Sequence, residues 1–243
     1  MASRYDRIGL DYSELRKPDP RIAARIDAAL ADSRTILNVG AGAGSYEPAG
    51  REVTALEPSI KMIRQRRIPA AAVVQGQAEE LPFADRSFDA SMAILTIHHW
   101  SDRAKGLAEM RRVTRGPIVL LTYDPSFRGF WLFDYLPELI ALDEAQMPKL
   151  EDFERRLGPV DIAPVPIPHD CADGFLSAYW RRPTAYLDPR VRAAMSSFWA
   201  LGDVSGALAR LQADLDSGAW ADRHGRLLAL DELDCGYRLI VTR

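Results

Sequence analysis

The sequence is poor in cysteine: Cys171 and Cys235 are the only two among 243 residues, and they do not form a C-x-x-C pair. This excludes a disulfide framework and offers no zinc-ligand spacing. No apolar run approaches the roughly 18 to 20 residues that cross a bilayer. The N-terminal stretch MASRYDRIGLDY also lacks the apolar core of a signal peptide. We therefore expect a reduced, cytoplasmic protein without a membrane-spanning helix.

The sequence also lacks an excess of positive charge. It carries 31 Lys and Arg against 34 Asp and Glu, which gives a formal net charge of −3. A protein that neutralises a row of phosphates needs such an excess, so nucleic acid is a poor candidate for the partner. Hydrophobic residues make up 47% of the chain and charged residues 27%, as in ordinary globular proteins.

Apolar and amphipathic stretches alternate through the first half of the chain. Short apolar runs predict buried strands at 35–39, 53–57, 71–75, 89–96 and 117–123. Apolar residues at helical spacing predict helices at 21–30, 60–67 and 102–113. Strands that alternate with amphipathic helices indicate an α/β fold with a parallel sheet covered on both faces. The closing stretch YRLIVTR at 237–243 predicts a final strand.

After Tyr123 the pattern changes to aromatic-rich and proline-rich segments. We expect helices in most of residues 124–160 and 171–202, which would form a cap over the functional edge of the sheet. The proline-rich stretch APVPIPHD at 163–170 predicts an edge strand and a loop, because proline cannot donate to a β-ladder. The whole chain, 1–243, is predicted to be a single domain.

Three glycines, Gly40, Gly42 and Gly44, directly follow the first strand in TILNVGAGAGSYEP. Ligands of open α/β sheets bind at the carboxyl ends of the strands. Glycine there permits positive φ and lets a ligand approach the backbone, and the helix that we expect next would offer unpaired N–H groups. Glu57, at the end of the second strand, is placed to accept hydrogen bonds from both hydroxyls of a ribose. Together these features favour a nucleoside ligand over a tight turn without one.

The glycine spacing is G-x-G-x-G, and the position where a dinucleotide fingerprint has its third glycine is Ser45. A nicotinamide dehydrogenase is therefore disfavoured. The segments NVGAGAG, ALEPS and GQAEELPFADRSFDASMAILTIHHW resemble the class I S-adenosylmethionine-dependent methyltransferases, in the small-molecule, methyltransferase type 11-like group. The resemblance covers roughly residues 5 to 123. It implies a Rossmann-like, seven-stranded, mostly parallel sheet with an antiparallel last strand and a helical cap.

The resemblance implies S-adenosylmethionine as the cofactor, S-adenosylhomocysteine as its product, and a binding role for particular positions. The glycine loop would pass beneath the methionine part, Glu57 would hold the ribose, and the pair Gln77 and Ala78 would meet the adenine ring. The positions with an implied cofactor-binding role are Tyr12, Arg16, Gly40, Ala41, Gly42, Glu57, Pro58, Gln77, Ala78, Ile94 and Leu95.

Two of these positions lie in about residues 1–20, which the resemblance makes a lid helix. Tyr12 would cover the cofactor or, alternatively, pack as an ordinary helix aromatic on the cap, and Arg16 would pair with the cofactor carboxylate. The chain departs from the family at two places. Gln77 stands where an aspartate is frequent, and Asn38 stands where many members have an acid in the first strand.

Methyl transfer from a sulfonium is an in-line displacement that needs positioning, exclusion of water and, for a protonated acceptor, a base. His98 and His99 follow the fourth strand, and neutral histidine accepts protons near pH 7. We favour His98 as the catalytic and substrate-contacting residue, because only one of two adjacent side chains points readily into a site. The alternative is that both residues pack or cap the next helix.

Other positions are weaker candidates for contact with the acceptor. Tyr123 and Asp124 are expected at the mouth of the pocket, and Trp131 is either part of a substrate wall or, more ordinarily, part of the core of the cap. His169 and Cys171 lie in one loop without the usual ligand spacing, so we expect no metal site.

The sequence therefore predicts an enzyme that transfers a methyl group from S-adenosylmethionine to an oxygen or nitrogen atom of a small organic molecule. Two alternatives remain at this stage: a methyltransferase that acts on RNA or a protein, and a repurposed S-adenosylmethionine-binding protein. The identity of the acceptor and the association of two copies as a homodimer stay open.

Overall fold

The computed structural model of the protein describes residues 15–66 and 71–243. The strands are β1 Thr35–Val39, β2 Glu52–Glu57, β3 Ala72–Gln75, β4 Ala90–Ile94, β5 Ile118–Tyr123, β6 Val160–Pro164, β7 Ile167–Pro168, β8 Glu232–Leu233 and β9 Tyr237–Thr242. The α-helices are α1 Pro20–Ala29, α2 Ile60–Arg64, α3 Arg103–Val113, α4 Glu138–Gln146, α5 Leu150–Leu157, α6 Pro189–Ala193, α7 Ser196–Ala200, α8 Ser205–Ser217 and α9 Ala219–His224. Short 3₁₀ segments lie at Ile97–His99, Trp131–Asp134, Leu176–Tyr179, Pro183–Leu187 and Gly225–Ala229.

Seven strands form one sheet in the order β3-β2-β1-β4-β5-β9-β6. β1 to β5 pair in parallel, whereas β9 runs antiparallel to both of its neighbours, with Tyr123 opposite Tyr237. The predicted fold class, a mostly parallel seven-stranded Rossmann-like sheet with an antiparallel last strand, is confirmed. The strand order reverses between β1 and β4, and ligands of such sheets bind at this point.

The central strands β1, β4 and β5 are buried on both faces because they are apolar at most successive positions, whereas the edge strands β3 and β6 are largely exposed. Every residue of β5 is buried, and the side chains alternate between two packed layers. Val119 and Leu121 join the cluster that contains the buried face of α1, whereas Leu120 joins the cluster that contains α3. Helices on both faces therefore hold the carboxyl ends of the strands in fixed positions.

Local sequence signals explain where the first helices begin. Asp19 caps α1 by accepting a hydrogen bond from the backbone N–H of Arg21, and Pro20 occupies the first helical position. Asp102 caps α3 by accepting from the backbone N–H of Lys105 at 3.0 Å. Both helices lie within two residues of their predicted bounds, because the caps are readable in the sequence.

The prediction of a helix directly after the glycine loop is wrong. Only turns connect β1 to β2 over residues 40–51. Gly40, Gly42, Gly44 and Tyr46 all have positive φ, between 54° and 92°. A right-handed helix cannot form through alternating left-handed residues, so the connection remains a loop.

The segments beyond β5 are less regularly helical than predicted. The stretch 126–144 forms the 3₁₀ turn Trp131–Asp134 and most of α4, and 174–182 forms only the 3₁₀ turn Leu176–Tyr179. The stretch 163–170, predicted as an edge strand and a loop, contains only the last two residues of the edge strand β6, Val160–Pro164, and the two-residue strand β7, Ile167–Pro168. Among the described residues, no helix combines the length and the apolarity needed to span a membrane.

Candidate functional site

A cavity of about 410 Å³ lies at the carboxyl ends of β1, β2 and β4, where the strand order reverses. Its size falls in the range of small-molecule sites. The predicted cofactor-binding residues that line it are Arg16, Gly40, Ala41, Gly42, Glu57, Pro58, Gln77, Ala78, Ile94 and Leu95. Tyr12, the remaining one, lies outside the described residues, as does most of the predicted lid.

The glycine loop packs against the protein as well as facing the cavity. A Cβ atom on Gly40 would stand 2.2 Å from Oγ1 of Thr96, and the φ of Gly40 is +71°. The backbone N–H groups of Gly40 and Ala41 both donate to the carbonyl of Leu56, at 2.8 and 3.0 Å. Gly40 is therefore required by its conformation and by its contact with Thr96, a reason that the sequence did not reveal.

Glu57 is held in place by the main chain. It is 6% exposed, and its carboxylate accepts from the backbone N–H of Gly42 at 2.8 Å and of Ser59 at 2.9 Å. A carboxylate offers about four lone-pair sites. The side chain therefore retains acceptor capacity for hydroxyl groups of a ligand while its position is fixed.

Asn38 lines the cavity at the end of β1 and donates to Oε1 of Glu47 at 3.2 Å. Glu47 forms an ion pair with Arg66 at 2.7 Å, and the Arg66 side chain is 3% exposed. The acid that is missing from the first strand thus has a nearby counterpart in the following loop. Sequence reasoning missed Glu47, because nothing in the pattern SYEP shows that this acid turns back toward β1.

Arg16 borders the cavity and is paired within the protein. Its Nε donates to Asp173, which is 1% exposed, at 2.5 Å. Tyr46, which also lines the cavity, donates its hydroxyl to the other carboxylate oxygen of Asp173 at 3.0 Å. Burial, and then the charge of Asp173, raise the pKa of Tyr46. This network joins the start of the described chain to the segment after β7.

The backbone turns sharply after β4. Leu95 has a φ of +53°, a strained value for a side chain of this size, and its N–H donates to the carbonyl of Leu121 at 2.8 Å. The 3₁₀ segment Ile97–His99 follows, and it brings two imidazole rings to a centroid distance of 3.9 Å. Both His98 and His99 line the large cavity, contrary to the expectation that only one ring would do so.

His98 differs from His99 because it also lines a second, smaller cavity of about 60 Å³. Burial lowers the pKa of His98 well below its usual range, and electrostatic interactions with His99, Arg103 and Arg16 lower it further. The ring is therefore neutral at physiological pH. It can donate or accept a hydrogen bond, but it binds a proton weakly.

The other residues that were predicted to contact the methyl acceptor lie in different places in the structure. Tyr123 is 5% exposed and lines the smaller cavity. Asp124 accepts from the backbone N–H of Ser126 at 2.9 Å and lines neither cavity. Trp131 is 4% exposed, donates through Nε1 to the carbonyl of Trp180 at 2.8 Å, and also lines neither cavity. These contacts fit the core-packing interpretation of Trp131.

Within residues 15–66 and 71–243, no group of three or more His, Cys, Asp or Glu side chains is arranged to hold a metal ion. In the loop that sequence analysis considered, Nδ1 of His169 lies 3.1 Å from the carbonyl of Asp231. Cys171 is buried as a free thiol.

Comparison with known proteins gives two kinds of match. The family model for a methyltransferase domain matches residues 37–117. The crystal structure of a candidate methyltransferase from an antibiotic biosynthesis pathway of Anabaena variabilis has a TM-score of 0.86 and 39% sequence identity to this chain. The match covers 94% of this chain and 99% of that one.

Curated relatives match over shorter stretches. A demethylmenaquinone methyltransferase of Renibacterium salmoninarum is 38% identical over 104 residues, which cover 39% of this chain and 44% of the relative. A malonyl-[acyl-carrier protein] O-methyltransferase of Pseudescherichia vulneris is 32% identical over 123 residues, which cover 47% of this chain and 49% of the relative. The chain thus spans about half the length of the curated relatives that it matches.

Proposed function

The chain belongs to the class I S-adenosylmethionine-dependent methyltransferases, and on that premise we propose that it methylates an oxygen or nitrogen atom of a small organic molecule. The observation that carries the proposal is the juxtaposition of two cavities. The larger cavity gathers the expected cofactor residues, and the smaller one adjoins it at Arg16, Leu95 and His98.

The larger cavity fits S-adenosylmethionine in its chemistry. Glu57 presents a fixed carboxylate for a ribose diol, and Gln77 presents an amide for a purine edge. The glycine loop would lie beneath the methionine part, and Leu95 would line it. When bound, the cofactor supplies a methyl group on a positively charged sulfur, so the protein has to align the acceptor and exclude water.

A small acceptor is supported by the small volume of the second cavity and by the charge of the chain. A space of about 60 Å³ receives the end of a small molecule more readily than a nucleotide base within a polymer. The net charge of −3 disfavours a nucleic-acid partner. Two related proteins are named for demethylmenaquinone and for malonyl-acyl-carrier protein as acceptors, so the chemical class has to be determined for this chain.

Isothermal titration with S-adenosylmethionine and S-adenosylhomocysteine tests the cofactor half of the proposal. We expect one binding site per chain for each, and no binding of NAD because the dinucleotide glycine spacing is absent. The acceptor half is tested by release of S-adenosylhomocysteine with phenols, amines and a mixed RNA preparation. A folded protein that binds neither sulfur nucleoside would refute the proposal, and turnover only with RNA would replace the small acceptor.

A further inference from the structure

The smaller cavity is built from parts of the chain that lie far apart in sequence. It shares Arg16, Leu95 and His98 with the larger cavity, so the two spaces adjoin at the end of β4. The rest of its lining comes from β5, from the end of α4, from the start of the 3₁₀ segment Leu176–Tyr179, from the start of α7 and from β9. These residues are Tyr123, Asp143, Met147, Phe175, Leu176, Met195, Ser196, Ser197 and Tyr237. A group placed there would face the strained turn at Leu95 directly.

Two polar side chains in this cavity are buried without a hydrogen-bond partner in the described part of the chain. Asp143, on α4, is 5% exposed, and among the described residues no group donates a hydrogen bond to its carboxyl oxygens. The hydroxyl of Tyr123 is also buried and lacks a hydrogen-bond partner within the described chain. Buried polar groups are almost always paired. Their shared orphan state in one cavity indicates that a ligand or water completes them.

The pKa values of Asp143 and His98 show which of these two side chains is the better proton acceptor. Burial raises the pKa of Asp143 to about 7, and the charge of Arg128 only partly opposes this effect. His98 has a pKa well below its usual range. A general base works best when its pKa lies near the operating pH, so Asp143 suits that role better than His98.

We infer that the Asp143 cavity receives the reacting hydroxyl of a neutral, largely apolar acceptor, and that the Asp143 carboxylate accepts its proton while Tyr123 hydrogen-bonds the same group. This inference rests on the proposed methyltransferase function. The acceptor O–H bond breaks with its electron pair left on oxygen, and the proton forms a new O–H bond on Asp143. The oxygen pair then bonds the methyl carbon, whose bond to sulfur breaks with its electrons left on sulfur.

The surroundings favour a hydroxyl over a cationic amine. Phe175, Leu176 and Met195 give the cavity apolar walls, each at most 9% exposed. Arg103 places positive charge near His98, which opposes a second cation and stabilises a developing oxyanion. A phenol or enol meets both conditions, because it enters neutral and becomes negative only as its proton leaves.

The test measures binding to protein saturated with S-adenosylhomocysteine, by titration calorimetry with three probes: p-cresol, 4-methylanisole and benzylamine. We expect p-cresol to bind about tenfold or more tightly than 4-methylanisole, because only the phenol can donate to Asp143. Benzylamine should bind most weakly. Equal affinities for the phenol and the ether, tightest binding of benzylamine, or no p-cresol binding up to its solubility limit would each overturn the inference.

Variants locate the effect. Asp143→Asn should weaken the preference for p-cresol, because an amide oxygen accepts a weaker hydrogen bond than a carboxylate does. Tyr123→Phe should also weaken it, while Glu138→Gln, an exposed position on the same helix, should leave it unchanged. The p-cresol affinity of the wild type should rise as pH passes from about 6 to 8 and Asp143 ionises, because a bond to a carboxylate is stronger than one to a carboxylic acid. The same pH series should be flat for Asp143→Asn.

The groups that face Asp143 are not expected to produce the same profile. Tyr123 and Tyr237 have raised pKa values, and His98 is neutral throughout. The cationic groups near Asp143 are Arg16, in the same cavity, and Arg128. A pH dependence that persists in Asp143→Asn would contradict the assignment. The sulfur-nucleoside titration is independent: a protein that binds S-adenosylhomocysteine but shows no phenol preference loses this inference only, whereas failure to bind it removes the proposed function.

Discussion

The two cavities differ in how their polar groups are satisfied. At the larger cavity, where we propose that the cofactor binds (the cofactor side), Glu57 accepts hydrogen bonds from two backbone N–H groups and Asn38 donates one to Glu47. These side chains are therefore fixed without a ligand. At the smaller cavity, where we propose that the methyl acceptor binds (the acceptor side), the Tyr123 hydroxyl and the Asp143 carboxyl have no hydrogen-bond partner among the described residues. Under the proposed function, the cofactor would bind to a surface whose polar groups are already paired, whereas the substrate would complete the polar groups of the smaller cavity.

The two sides also differ in their origin along the chain. The cofactor cavity is lined mostly by residues 37–117, the stretch that the methyltransferase family model matches. The acceptor cavity takes Asp143, Phe175, Met195 and Tyr237 from beyond that stretch. Substrate choice can therefore change through the later segments while the cofactor site stays intact.

The largest effect is expected at Gly40, where backbone packing fixes the cofactor side. Gly40→Ala should lower the free energy of unfolding by about 2 to 5 kcal/mol, the sum of a left-handed backbone penalty and overpacking against Thr96. Gly50 has a φ of +78° but open space around it. Gly50→Ala should therefore cost only about 1 to 2 kcal/mol in chemical denaturation.

Removing the obstructing side chain provides the control. In a Thr96→Ala background, Gly40→Ala should cost less than in the wild type, because the contacts at 2.2 and 2.9 Å are lost and only the Cβ of residue 96 remains, at 3.0 Å. The two mutations at positions 40 and 96 should therefore not be additive. Equal penalties at Gly40 and Gly50 in the wild-type background would show that conformation alone, rather than the contact with Thr96, requires glycine in this loop.

The next effect concerns the unpaired acid of the acceptor side. The pKa of Asp143 is about 7 in the folded protein, against an ordinary value of 3.8. The folded state therefore binds this proton more tightly than the unfolded state does. The contribution of the Asp143 proton to the free energy of unfolding is complete below about pH 4 and is lost as the pH rises through 7. The free energy of unfolding of Asp143→Asn, relative to that of the wild type, should therefore increase by about 2 to 4 kcal/mol from pH 4 to pH 8.

The measurement is the difference in unfolding free energy between the two proteins across that pH range. Glu138→Gln serves as the exposed control on α4, and its difference from the wild type should not depend on pH in this manner. A constant offset between Asp143→Asn and the wild type from pH 4 to pH 8 would show that Asp143 ionises normally and is solvated.

A smaller, cofactor-specific effect is expected at Glu57. Glu57→Gln removes the charge and one acceptor oxygen, so affinity for S-adenosylmethionine should fall about 10- to 100-fold by titration calorimetry. Glu52→Gln, at the exposed start of the same strand, should bind like the wild type. Equal affinities of the three proteins would remove Glu57 from the ribose site.

The smallest effect is expected at Gln77, which would contribute one neutral hydrogen bond to the adenine. Gln77→Ala should weaken S-adenosylmethionine binding about threefold to tenfold, and the exposed Gln212→Ala should not. Unchanged affinity of Gln77→Ala would mean that Gln77 lines the cavity without contacting the base.

The sequence identifies residues that line the larger cavity because the signals at this edge of the sheet are local. Thr35–Val39 forms a strand with the predicted bounds, since a strand buried on both faces requires a continuous apolar run. The glycines and Glu57 follow neighbouring strands, so the parallel fold brings them to one edge. The helix expected after the glycines fails for a local reason too, since repeated positive φ excludes it.

Beyond His98 and Tyr123, the lining of the smaller cavity could not be predicted, because it depends on how distant segments pack. In LIALDEAQ, Asp143 looks like any acid on a helix, and no periodicity shows that it is buried beside Tyr123. Trp131 illustrates the converse. An aromatic-rich run is compatible with a substrate wall or a core, and only the contacts of Trp131 with Trp180 and Trp220 place it in the core.

A crystal structure with bound S-adenosylhomocysteine tests the central claim most directly. The account predicts that both ribose hydroxyls lie within hydrogen-bond distance of Glu57 and that the sulfur points past Leu95 and His98 toward the cavity of Asp143. A nucleoside bound away from Glu57, or a sulfur that faces away from Asp143, would contradict it.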